Sequence, residues 1–291
     1  MKTHNNLILL AEDLAQKSEF SLSGECVRAI LALDPTNITA HNLREKYRLE
    51  GNFTDAFGIN ACISPDDDIF RFFANHPSST NPIRDYLSDG WRTLLELKHI
   101  LEKLNRPLSE CNSFLEFACG FGRFSRHLVR ALPPNALHVA DVAPGSIDFL
   151  KENLGVEGFY SEKLPERLSH PKKYKIIFVL SLFSHLPQSS WSSWLRKLYS
   201  FLENDGLLIF TTHGETSAVK LGVQFPPNGF VFIPSSESTT LPGEEYGSTF
   251  TSINYVRDAI ATSLSHAITY EFPAQFWGSQ DGFAIVKGRQ A

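Results

Sequence analysis

After Pro107 the chain alternates short apolar runs with helix-patterned segments, and this alternation constrains its fold more than any other feature of its 291 residues. Segments 113–118 (SFLEFA), 136–141 (ALHVAD), 156–161 (VEGFYS), 174–180 (YKIIFVL) and 206–212 (GLLIFTT) read as strands. Helical patterns fill the gaps at 121–132, at 144–154 and where Trp191, Trp194, Leu195, Leu198 and Leu202 recur. Pro144 sits well in the first turn of its helix. Strands alternating with helices predict an α/β fold, a doubly wound, mostly parallel sheet with helices on both faces. Two last runs, 266–272 and 281–287, are expected to close the chain as an antiparallel pair, giving about seven strands.

The first 58 residues carry a different pattern. Leu7, Leu10, Ala11 and Leu14 recur at helical spacing, as do Val27, Ile30 and Leu31, and Pro35 separates two helices. The stretch ALDPTNITAHNLREKYRLEGNFTDAF resembles a tetratricopeptide repeat, with Leu43, Tyr47, Gly51 and Ala56 at that repeat's spacing and Arg44 where the family usually has glycine. Such repeats need about three copies to be stable alone. A segment with little more than one is expected to dock on the rest of the chain or on a second subunit, so these helices offer a surface for protein contact. Residues 59–85 read as a linker with a short amphipathic piece. Its Asp66-Asp67-Asp68 run suits a solvated helix start better than a metal site, because three adjacent carboxylates do not all face one ion. A helix with a broad apolar face returns from Tyr86 to about Leu104. The expected division is therefore a helical extension at 1–58, a linker at 59–85 and an α/β domain at 86–291.

Composition excludes several function classes. A net charge of −5 provides no general attraction for nucleic acid or an anionic membrane. The apolar run at 7–11 is too short for a signal peptide or a membrane span. Cys26, Cys62, Cys111 and Cys119 show no CxxC spacing, so no zinc site or disulfide framework is expected, and a cytoplasmic location is the default.

The chemistry-bearing feature is EFACGFGR, at the end of the 113–118 strand. Ala118, Gly120 and Gly122 let the backbone turn tightly and approach a ligand, with free N–H groups of a helix N-terminus behind them. Asp141 ends the next strand, a position that reaches ribose hydroxyls in sheets of this kind. At these residues the chain resembles the class I S-adenosylmethionine-dependent methyltransferases, a Rossmann-like family, over about residues 86–288. Alanine at 118 departs from the family's first glycine. The resemblance implies that Glu116 and the turn, including Cys119, hold the methionine moiety and that Asp141, beside Val142, takes the ribose. It further implies that Ser161 and Glu162 lie near adenine, that Ser181 follows the fourth strand into the site, and that Arg123 meets the methionine carboxylate. A dinucleotide is the competing ligand, but Ser125 stands where its fingerprint requires a third glycine, and Glu116 would face a pyrophosphate unfavourably.

Methyl transfer to a hydroxyl requires a general base as well as alignment of the acceptor. His185 follows the fourth strand and His213 the fifth, and either is a candidate, with Glu215 as a plausible orienting partner of His213. Residues 215–250 read as an acceptor lid, with Tyr246, Phe230 and Phe232 lining it. Trp277, Gln280 and Asp281 open the last strand towards the acceptor, and Tyr86, a further candidate for acceptor contact, begins a helix expected to cover the cofactor. No metal is expected, and a small-molecule oxygen acceptor, a sugar or secondary metabolite, is favoured over nucleic acid. The alternatives are an interaction protein on a methyltransferase scaffold of reduced activity and a nicotinamide-dependent oxidoreductase.

Overall fold

The computed structural model describes residues 2–236, 238–265 and 267–288. Helices α1 (Lys2–Gln16), α2 (Phe20–Leu33), α3 (Ile38–Lys46) and α4 (Phe53–Phe57) form the N-terminal part. Their apolar faces meet at Ala11, Val27, Ile30, Ala40, Leu43 and Leu49, a small core of their own. Asn37 and Asn52 cap α3 and α4. The buried carboxylate of Glu45 ties the two together by accepting hydrogen bonds from the Phe53 and Thr54 amides and the Thr54 hydroxyl.

The expected linker contains a helix, α5 (Asp68–Asn75). The acidic run supplies its cap, with Asp67 accepting from the Ile69 and Phe70 amides. The next helix, α6 (Pro82–Lys103), starts before Tyr86 because Asn81 caps it and Pro82 fits its first turn.

The α/β part runs β1 (Phe114–Phe117), α7 (Ser125–Ala131), β2 (Leu137–Asp141), α8 (Ser146–Leu154), β3 (Glu157–Tyr160), β4 (Tyr174–Val179), α9 (Gln188–Ser200) and β5 (Leu202–His213). It continues with α10 (Glu215–Lys220), β6 (Phe230–Ile233), β7 (Ser248–Thr251), α11 (Ile253–Ser263), β8 (Ala267–Phe276) and β9 (Gln280–Lys287). The expected first residue of β8, His266, lies outside the described residues. Strands β1 to β5 are parallel in the order β3-β2-β1-β4-β5, and β9 lies antiparallel between β5 and β8. The seven strands read from the sequence are all present, and the 215–250 segment adds the antiparallel pair β6–β7, for nine in one sheet. That pair joins β5 only at its end, through His213 and Phe250, so it extends the edge where a ligand would sit.

Apolar side chains cover both sheet faces. One core gathers Leu115, Ile177, Trp191, Trp194 and Leu198 beneath α9 and α11. The other gathers Phe114, Phe124, Leu128, Ile176 and Ile209 beneath α6 and α7. Chain order reverses between β1 and β4, and open α/β sheets bind ligands outside the carboxyl ends of the strands at such a switch. The buried Arg126 fastens the segment after α4 to this edge. Its guanidinium donates to the Asn60, Cys62 and Phe121 carbonyls and lies 5.4 Å from the Tyr86 ring. Among the described residues, no helix is long and apolar enough to cross a membrane.

Candidate active site

The carboxyl ends of β1, β2, β4 and β5 open into a cavity of about 430 Å³, within the range of small-molecule sites. The turn after β1 forms its floor. Ala118, Gly120 and Gly122 all have positive φ, at 61°, 54° and 81°, and α7 starts only at Ser125 because these residues are not helical. A Cβ on Gly120 would meet nothing within 4 Å, which leaves the backbone open to a ligand. A Cβ on Gly122 would collide with the Leu150 side chain of α8, so this glycine serves packing and does not line the cavity.

Ala118 performs a glycine's task with a methyl group, in a conformation that costs an L-residue about 1–2 kcal/mol. Ala118→Gly should therefore raise unfolding free energy by up to ~1 kcal/mol after the added unfolded-chain entropy is subtracted. Denaturant titration would measure this, and a loss of stability would show that the methyl packing outweighs the strain.

Two carboxylates flank the turn. Asp141, at the end of β2, accepts from the Gly120 amide at 2.6 Å and the Ala143 amide at 2.8 Å. A carboxylate has about four acceptor positions, so Asp141 retains capacity for ligand hydroxyls. Glu116 is 2% exposed and accepts one hydrogen bond from the Ser125 hydroxyl at 2.7 Å. Burial pushes its pKa up to about 8, against the hydrogen bond from Ser125 and the pull of Arg123. A cation would relieve that desolvation; an anion would add to it. Asp67 and Asp89 line the same cavity, Asp89 as the ion-pair partner of Arg123.

The predicted cofactor residues Glu116, Ala118, Cys119, Gly120 and Arg123 line the cavity, as do Asp141, Val142, Ser161, Glu162 and Ser181. Arg123 is already engaged: it forms an ion pair with Asp89 of α6 and stacks 5.3 Å from the Trp277 ring. No local pattern marks Asp89, because it lies 34 residues from Arg123 in the chain.

The opposite wall carries the two histidines. His185 donates from Nδ1 to the Gly247 carbonyl at 2.6 Å and stacks on Tyr246 at 4.4 Å. His213 lies 6.0 Å from His185, and its Nδ1 is buried with no hydrogen-bond partner among the described residues. Burial pushes both imidazoles down to about 4, and His185 adds to the effect at His213, so both are neutral near pH 7. Glu215 does not orient His213. It accepts from the Ile253 amide at the start of α11, 3.1 Å away.

The acceptor residues divide. Tyr246 lines the cavity. Tyr86 does not; it is fully buried, and its hydroxyl donates to Asp67 at 2.5 Å. Phe230 packs 4.8 Å from Tyr255, and Phe232 packs against the same core, so the β6–β7 pair directs both away from the cavity. Asp281, on β9, accepts from the Ala274 amide where the register of β8 shifts, and also lies outside. Gln280 and Trp277 do face the cavity, and α5 contributes Ile69, Phe72 and Phe73. The clue to α5 was its phenylalanine-rich amphipathic pattern inside an expected linker.

Similarity to known proteins agrees with this geometry. Residues 115–208 match the family model described as a methyltransferase domain. The backbone superposes on magnesium protoporphyrin IX methyltransferase from Synechocystis, solved with bound S-adenosylhomocysteine, at a TM-score of 0.50 and 15% identity. That alignment covers 76% of this chain and 94% of the other. The fold is that of a class I methyltransferase. A plantazolicin methyltransferase, also in complex with S-adenosylhomocysteine, aligns with this methyltransferase fold at 0.50 and 12% identity, over 77% and 95% of the two chains. In sequence, a malonyl-[acyl-carrier protein] O-methyltransferase of Ilyobacter polytropus is 28% identical over 130 residues, and that of Bacillus anthracis 29%. These matches cover 43% of this chain, which spans about half (47%) of the length of either relative.

Proposed function

We propose that the protein is an S-adenosylmethionine-dependent methyltransferase that methylates an oxygen of a small-molecule acceptor. The observation that carries this reading is the pair Glu116 and Asp141 at adjacent strand ends, on either side of a turn whose Gly120 is open to the cavity. Glu116 would face the ammonium end of the donor, and Asp141 would accept from the ribose hydroxyls. Ser161 and Glu162 would border the base. Arg123 would reach a carboxylate by exchanging Asp89 for it.

When bound, S-adenosylmethionine supplies a methyl group whose bond to sulfur breaks, leaving a neutral thioether, as the acceptor oxygen bonds the carbon. His213, whose ring lines the cavity, would take the hydroxyl proton, and His185, bonded to Gly247, would hold Tyr246 against the acceptor. Helix α5 and the 238–247 segment would exclude water from above; Asp68 links them by accepting from the Thr239 amide and hydroxyl, both at 3.0 Å. We take residues 1–58 as a helical extension and 86–291 as the catalytic domain, with the segment between them contributing α5 to the site.

Isothermal titration with S-adenosylhomocysteine and, separately, NAD tests the reading. S-adenosylhomocysteine is expected to bind with a Kd in the micromolar range (about −8 kcal/mol) and NAD not to bind. Binding of NAD alone would make the site that of an oxidoreductase, and binding of neither would favour a scaffold.

A further inference from the structure

We propose that Asp89 is a donor-binding residue, which takes the ammonium of the donor's amino-acid end as Arg123 leaves it for the carboxylate. This rests on the methyltransferase reading and brings α6, a helix outside the cofactor turn, into the donor site. Asp89 and Arg123 pair with each other and both line the cavity, with Arg123 close enough to act on the Glu116 carboxyl. Close packing sets this arrangement. A Cβ on Gly90 of α6 would stand 2.1 Å from the Arg123 carbonyl oxygen and 2.9 Å from the His127 ring, so only glycine lets the helix rest on the turn here. Asp89, the preceding residue, is thereby brought against the Arg123 side chain. The Trp277 ring lies 5.3 Å from the guanidinium, and the Trp277 amide donates to Glu96 of the same helix at 3.0 Å. The pair keeps bonding capacity. Arg123 Nη1 donates to Asp89 Oδ2, while Arg123 Nε and Nη2 and Asp89 Oδ1 have no hydrogen-bond partner among the described residues.

Charge balance gives Asp89 its role. The two side chains are only 15% and 19% exposed, so neither charge is well solvated without the other. A ligand carboxylate that drew Arg123 away by itself would strand Asp89, and breaking a buried pair on one side is costly for that reason. No protein cation stands ready to replace Arg123. Among the described residues, the other lysine or arginine lining the cavity is Lys163, which pairs with Glu245. Arg92, which also acts on Asp89 through space, donates to Glu96 at 2.8 Å. The amino-acid end of the donor is a zwitterion and brings both signs at once. Its carboxylate takes Arg123, its ammonium takes Asp89, and one ion pair becomes two with no charge left over. An ammonium has three N–H donors, so Asp89 and Glu116 can share it.

The test titrates full-length protein with S-adenosylhomocysteine and with its deaminated analogue, in which hydrogen replaces the amino group and the carboxylate remains. For the wild type at pH 7, calorimetry should find S-adenosylhomocysteine at least ~10-fold tighter, the effect of one hydrogen bond between charged groups. Asp89→Asn should lose most of that preference. It should also bind the deaminated analogue at least as tightly as the wild type does, because Arg123 no longer has to leave a carboxylate. A merely structural role for Asp89 would instead weaken both ligands together. Equal affinities in the wild type, an undiminished preference in Asp89→Asn, or weaker binding of the deaminated analogue by that variant would each overturn the proposal. A thermal melt checks folding, and Asp89→Ser carries the same comparison if Asp89→Asn does not fold. Failure of S-adenosylhomocysteine to bind the wild type would refute the methyltransferase reading on which the proposal depends.

Discussion

Asp141→Ala should weaken S-adenosylhomocysteine binding by about 100-fold or more, the value of two hydrogen bonds to a charged acceptor at roughly 1.5–3 kcal/mol each. The effect has two sources. The carboxylate would accept from the ligand's ribose hydroxyls, and it already fixes the turn by accepting from the Gly120 and Ala143 amides. Asp141→Asn separates them. The asparagine keeps one acceptor oxygen, so it should preserve part of the turn and bind with intermediate affinity. Calorimetric titration of both variants, with a thermal melt to confirm folding, gives the answer. Wild-type affinity in Asp141→Ala would remove Asp141 from the cofactor site.

His213→Gln should lower turnover by about 10²- to 10⁴-fold, the usual contribution of a general base, with S-adenosylhomocysteine affinity unchanged. The imidazole is suited to the role because burial disfavours its cation and leaves it neutral. Its protonated form has no lone pair for the acceptor proton, so activity should persist from neutral pH downward and fall only as the pH drops towards about 4. Glutamine at 213 does not titrate, so that acid limb should be missing from the residual activity of the variant. A pH–rate profile of the two proteins checks the assignment, and unchanged turnover would reject it. His185 has a different role. Its Nδ1 is committed to Gly247 and its ring to Tyr246, so it is a positioning residue for the wall of the cavity.

The cofactor half of the site was legible because its signals are local. A buried strand, a turn of small residues and a helix start are contiguous in the chain, and Glu116 and Asp141 mark the ends of strands whose boundaries follow from apolar runs. The acceptor half was less so. Tyr86 stands at a helix start expected to face the ligand, yet it is buried because Asp67, from the preceding helix cap, takes its hydroxyl. Composition places Phe230 and Phe232 in a lid, and the pairing of β6 with β7 sends them to the core instead. The expected linker conceals α5, since its turn-forming residues dominate the pattern and its phenylalanines become informative only once they cover a cavity.

The sequence by itself determined the parallel sheet, the turn at Ala118–Gly122 and the two carboxylates beside it, because periodicity and φ preference act between near neighbours. The tertiary structure alone decided which side chains remained available for chemistry. Arg123 is held by Asp89, and Glu215 caps α11 instead of orienting His213. His213, Gln280 and Trp277 line the cavity and each keeps a buried polar atom without a partner among the described residues. Each of those outcomes depends on elements far apart in the chain, where pairing is set by the packed geometry of the sheet and its covering helices.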